Sequence, residues 1–156
     1  MTTQPESEIT PQIPIETQPH FDWYLGEYVK FANKGLRFPI TLYCSGLLVS
    51  GIIIGGEEYF EMAAEQVKQS FTNPEEQEVI SNWVSGWKSI YTSEDDNESD
   101  EGDEADVHPP GFIHLMDAKI FHPGQIPIPS GKDGVLWRGR LSSINGFHWG
   151  ALAVTK

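Results

Sequence analysis

The chain has 156 residues, 38% of them hydrophobic, with five Trp, one Cys and a formal charge of −13 at pH 7. That length holds one small domain, a lone cysteine makes no intrachain disulfide, and an acidic balance repels the phosphate backbones that nucleic-acid binders neutralise. The opening "MTTQPESEITPQIPIETQPH" lacks a basic and an apolar signal region, and the longest apolar run, "LLVSGIII", is too short to span a bilayer. A soluble, cytoplasmic chain with no membrane or nucleic-acid partner is therefore expected.

Residues 1–20 hold four Pro among Thr, Gln and Glu, a composition that buries too little to offset the entropy of ordering, and read as a disordered arm. The single domain then runs over 21–154. Tyr24, Leu25, Tyr28 and Phe31 with Ala32 recur at helical spacing, and Gly35 sits where a helix ends, so a helix is predicted over about 22–34. Pro39 bars its continuation. "ITLYC" alternates Ile40, Leu42 and Cys44 inward with Thr41 and Tyr43 outward, "SG" makes a tight turn, and "LLVSGIII" returns as a second strand.

Phe60, Ala63, Ala64, Val67 and Phe71 mark the apolar face of a helix over about 57–71. "NPEEQ" then supplies a cap, a first-turn Pro and a Glu at the third position, starting a helix over about 74–91. Its stripe is Val79, Ile80, Trp83, Val84 and Trp87; the Trp pair is expected in the core, the alternative being an exposed ridge for a partner helix. Residues 93–106, "SEDDNESDEGDEAD", carry nine acidic side chains and no Lys or Arg, and read as a disordered insert; the remainder of the chain holds a formal −4.

"FIHLMDAKIF" is a third strand and "HPGQIPIPSGKDG" a Pro-stiffened loop. "VLWRGRLSSI" and "FHWGALAV" flank Asn145-Gly146, which predicts a type I′ hairpin closing the chain. On these strands Trp137 shares a face with Val135, Gly139 and Leu141, and Trp149 with Phe147, Ala151 and Ala153, an aromatic side expected to be interior. Arg138 and Arg140 point the other way. The fold class is α+β: a small, strongly bent five-stranded antiparallel sheet, open or closed as an Sm-like small barrel, with an N-terminal helix and a helical insertion between strands two and three.

Catalytic and metal chemistry find little support. His114 and Asp117 lie three apart in a strand and face opposite ways, while His108 and His122 meet only across a loop. A calcium loop starting at Asn97 places Gly102 sixth but His108 twelfth, where a bidentate Glu belongs. Gly55-Gly56 precedes a helix whose Glu57 and Glu58 repel phosphate. No nucleophile, base and oxyanion donor can be assembled, so the chain is expected to be no enzyme and to need no cofactor. What remains is charge: Arg138 and Arg140 suit carboxylates, and Glu94, Asp95, Asp96, Asp100 and Glu101 of the acidic run suit arginines, so contacts between the two, across molecules or with a partner, are the candidate binding chemistry. Substituting both arginines is expected to leave folding within ~0.5 kcal/mol.

"ITLYCSGLLVSGIIIGGEEYFEMAAEQVK", "FIHLMDAKIF" and "VLWRGRLSSINGFHWGAL" together resemble the gas vesicle accessory protein GvpU family: a glycine-turned strand pair runs into an "EYF" helix, an "FIHL" strand follows a variable insert, and "LWRG" with "NGF" closes the chain. The likeness spans most of residues 40–152 and departs in the acidic insert and the "HPGQIPIPS" loop. It implies a cytoplasmic accessory protein, not a shell subunit, that modulates gas vesicle assembly or clustering, with gas vesicle shell or other gas vesicle proteins as partners, self-association among the modes of contact, and no catalytic residues. The alternative is a small β-barrel module that binds a peptide or nucleic acid.

Overall fold

A computed structural model describes residues 20–92 and 111–153. The arm expected over 1–20 lies outside these residues except for His20, as does the whole acidic run.

The chain opens with α1 (Trp23–Asn33), capped by Asp22, whose Oδ1 accepts from the Tyr24 N–H at 2.9 Å. Its end is a Schellman motif: Gly35 adopts φ 97°, Leu36 N–H donates to the Phe31 carbonyl and Gly35 N–H to that of Ala32. Strands β1 (Phe38–Cys44) and β2 (Leu47–Ile54) form the expected hairpin, with Ser45 and Gly46 both at positive φ in a two-residue loop. Two antiparallel helices follow, α2 (Gly56–Lys68) and α3 (Pro74–Gly86). Asn73 Oδ1 caps α3 by accepting from Glu75 N–H at 2.9 Å, and Pro74 holds the first helical position. The helix expected to reach residue 91 breaks after Gly86, where Trp87 and Lys88 donate three residues back, and resumes as the single turn α4 (Ser89–Thr92).

Strands β3 (Phe112–Phe121), β4 (Val135–Arg140) and β5 (Gly146–Trp149) complete an antiparallel sheet of order β4-β3-β2-β1-β5. The sheet is open, with β4 and β5 as its two edges, so the closed form is not adopted. This corrects the final hairpin. Leu141, fully buried, donates its N–H to the Gly111 carbonyl and starts a 3-10 turn over Leu141–Ser143 that carries the chain to the opposite edge, where β5 pairs with β1. Asn145 makes no turn between neighbours; it docks β5 onto the first hairpin, its N–H donating to the Tyr43 carbonyl and its Oδ1 accepting from Ser45 N–H. Burial of Leu141 and an unpaired β1 edge outweigh the local Asn-Gly preference.

One sheet face holds the core. Ile40, Leu42, Val49, Ile53, Ile113, Leu115 and Ala118 pack against Leu25, Val29 and Ala32 of α1, with Trp137, Phe147 and Phe38 partly buried around them. The expected aromatic interior is thus realised only in part: Trp149 is half exposed at the rim, its ring 4.6 Å from Tyr28 and 5.3 Å from Phe38. β5 stops at Trp149, so Ala151 and Ala153 belong to no strand. The opposite face is partly covered too. Thr41, expected outward, is buried and donates to the Gly150 carbonyl, while Ser50 Oγ accepts from Leu152 N–H at 2.6 Å. These two hydroxyls fasten the last described residues across the back of the sheet.

The Trp83 and Trp87 expectation is also overturned. Only Val84 of α3 is buried, and Val79, Trp83, Trp87 and Ile90 stand exposed. A helical layer two helices wide buries one stripe against its neighbour, and here Val84 and the half-buried Ile80 take that role.

Candidate functional site

The arginine pair lies on the edge strand β4, on the face carrying α2 and α4. Cross-strand register sets His114 opposite Arg138 and Phe112 opposite Arg140. Arg138 Nε donates to His114 Nε2 at 3.1 Å, and its guanidinium lies over the Phe112 ring, 3.6 Å from the centroid, with Phe60 5.9 Å away. Arg138 is therefore held by a histidine and an aromatic face rather than freely solvated. His114 is only 1% exposed, its ring 4.5 Å from that of Tyr59 and 5.6 Å from that of Tyr91. Burial first, and the Arg138 charge second, push its imidazole down to about 3, so the ring is neutral at ordinary pH and Nε2 is free to accept. Burial raises the Tyr59 phenol, opposed by the same guanidinium.

This arrangement fixes a cation at the protein surface. Nε is the guanidinium atom that donates to His114, leaving the outer nitrogens available to a carboxylate. The three ion pairs among the described residues are Lys30–Glu27, Arg37–Glu58 and Lys88–Glu61, none involving Arg138 or Arg140. Glu94, Asp95, Asp96, Asp100 and Glu101 lie outside the described residues; of the described residues near them in sequence, Tyr91 lies beside His114 and the Gly111 carbonyl accepts from Leu141 N–H. The alternation of "LWRGR" gives the shared face in sequence, but the contacts to His114 and Phe112 require the β3–β4 register, which one sequence does not reveal.

Other polar groups are committed elsewhere. Asp117 accepts from Gly134 N–H at 2.6 Å and does not meet His114. It lines a groove of about 760 Å³ between the back of β2 and the Pro-rich loop, together with Lys119, whose ammonium donates to the Gly131 carbonyl. His108 lies outside the described residues. Among the described residues, no three His, Cys, Asp or Glu side chains gather as a metal site would need. Burial raises the half-buried Cys44 thiol, which favours the unreactive protonated form.

No helix among the described residues is long and apolar enough to cross a membrane. No curated protein and no solved structure matches the chain. The family model described as gas vesicle protein GvpU-like matches residues 22–152, covering the sheet, all four helices and the arginine edge. The chain belongs to the GvpU-like family of gas vesicle proteins.

Proposed function

We propose that this protein is a non-enzymatic, cytoplasmic accessory factor that modulates the assembly or clustering of gas vesicles through weak, multivalent charge contacts. The observation that carries this reading is Arg138, positioned by His114 and Phe112 with no carboxylate partner among the described residues. The acidic run supplies the complementary group: Glu94, Asp95, Asp96, Asp100 and Glu101 of one molecule engage Arg138 and Arg140 of another, or acidic side chains of a gas vesicle protein take their place. Each contact is worth only ~0–1 kcal/mol, so association requires many at once and weakens as salt screens them.

Light scattering of purified protein with gas vesicles across a salt titration tests this. Association should fall steeply between low and high ionic strength, and Arg140→Glu should weaken it without loss of fold. Association that ignores both salt and Arg140→Glu rejects the proposal.

A further inference from the structure

The exposed stripe on α3 is a second surface, of opposite charge preference to the arginine edge. Val79 (70% exposed) and Trp83 (62%) lie one turn apart on α3, Trp87 (45%) follows at its C-cap and Ile90 (58%) on α4. The two indoles meet edge to face with centroids 6.0 Å apart. At these exposures the four side chains present about 450 Å² of apolar surface, in the upper part of the range a monomer leaves exposed. Among the residues of α3 only Val84 is buried, while these four side chains stay exposed beside it.

Its surroundings say what fits. Glu75 and Glu76 occupy the first turn of α3, at one end of the stripe. Over residues 56–92 there are seven Glu and two Lys, and Lys88 is already paired with Glu61 at 3.3 Å. A second copy brings the same excess of Glu, and an anionic lipid surface is repelled likewise. Trp faces attract Lys and Arg. We infer that the Val79–Trp83–Trp87–Ile90 stripe docks an amphipathic helix of a partner protein whose apolar face is flanked by basic residues. The partner lays its own apolar i, i+4 row against the indoles, and its Lys or Arg side chains meet Glu75 and Glu76 in the first turn of α3. This contact is independent of Arg138 and Arg140.

Calorimetric and Trp-emission titration of the full chain with designed peptides of about 14 residues tests it. An amphipathic Leu/Lys helix should bind and shift Trp emission to the blue; a Leu/Glu helix of the same pattern, and a Ser/Lys peptide of the same charge, should not. Trp83→Ala with Trp87→Ala should weaken Leu/Lys binding at least about tenfold with circular dichroism unchanged. The more conservative Trp83→Gln, at the more exposed position, serves if the double variant is unfolded. Equal binding of the Ser/Lys peptide, or undiminished binding to a folded Trp variant, reduces the contact to charge alone and overturns the proposal. Self-association or uptake by neutral phosphatidylcholine vesicles that disappears in the Trp variants assigns the stripe to another occupant and overturns it as well.

Discussion

Arg138→Ala separates an anchored arginine from a solvated one. The wild-type guanidinium donates to His114 Nε2 at 3.1 Å and covers Phe112 at 3.6 Å. Truncation leaves a neutral imidazole nitrogen without its donor inside a ring that is 1% exposed, at a cost of about 1–3 kcal/mol. Loss of the cation from the Phe112 face adds about 0.5–1 kcal/mol. Water reaching the vacated edge offsets part of this, so the expected destabilisation is about 2 kcal/mol, well beyond the ~0.5 kcal/mol expected for a solvated pair. Arg140→Ala, with no contact of this kind among the described residues, should stay within that ~0.5 kcal/mol. Urea unfolding of both variants, with the slope m checked for constancy, reads the difference directly. Two variants of equal stability would show that Arg138 is not held by His114, and the reasoning that makes it a prepositioned binding group would fail.

The buried imidazole makes stability depend on pH. The folded state holds His114 near 3 while an unfolded imidazole titrates near 6.5, so acid protonates the unfolded chain first. Its contribution is complete above about pH 6.5 and is lost as pH falls toward 3, at up to ~1.4 kcal/mol per pH unit. His114→Gln should flatten that acid limb, and an unchanged limb in pH-dependent unfolding counts against it. Trp137→Ala should cost about 2–4 kcal/mol because the half-buried indole packs on the core, and a loss below ~1 kcal/mol by the same assay contradicts that packing. Asn145→Ala removes the acceptor for Ser45 N–H at 2.9 Å and should cost about 1 kcal/mol, with faster amide exchange at Ser45; unchanged exchange there would be the contrary result.

Elements set by local chemistry were legible in the sequence. Gly35, Asn73 and Pro74 fix helix ends through caps and backbone geometry that act within a few residues, and Ser45-Gly46 fixes the first hairpin. The ending was misread because Asn145-Gly146 offers a turn that tertiary packing does not use: burial of Leu141 redirects the chain before the turn can form. The α3 stripe was misread for a related reason. Periodicity identifies an apolar face without saying whether anything lies against it, and the layer beside α3 reaches only Val84. Of the arginine site, alternation gave the face shared by Arg138 and Arg140. The His114 and Phe112 contacts depend on residues 24 and 26 positions away, joined only by strand register.

That register also explains why the two arginines are not equivalent as binding groups. A side chain that must be immobilised on binding loses roughly 0.5–1.5 kcal/mol of rotamer freedom. Arg138 has lost most of that freedom during folding, through Phe112 and His114. Arg140 has not. A carboxylate engaging Arg138 therefore avoids an ordering cost that one engaging Arg140 must meet, although both carry the same charge. Replacing each arginine by Lys keeps the charge but removes the planar guanidinium and its Nε donor, so Arg138→Lys should weaken association more than Arg140→Lys at equal ionic strength. Equal weakening would mean that the edge acts only through its net charge, and that the histidine beneath it serves the fold alone.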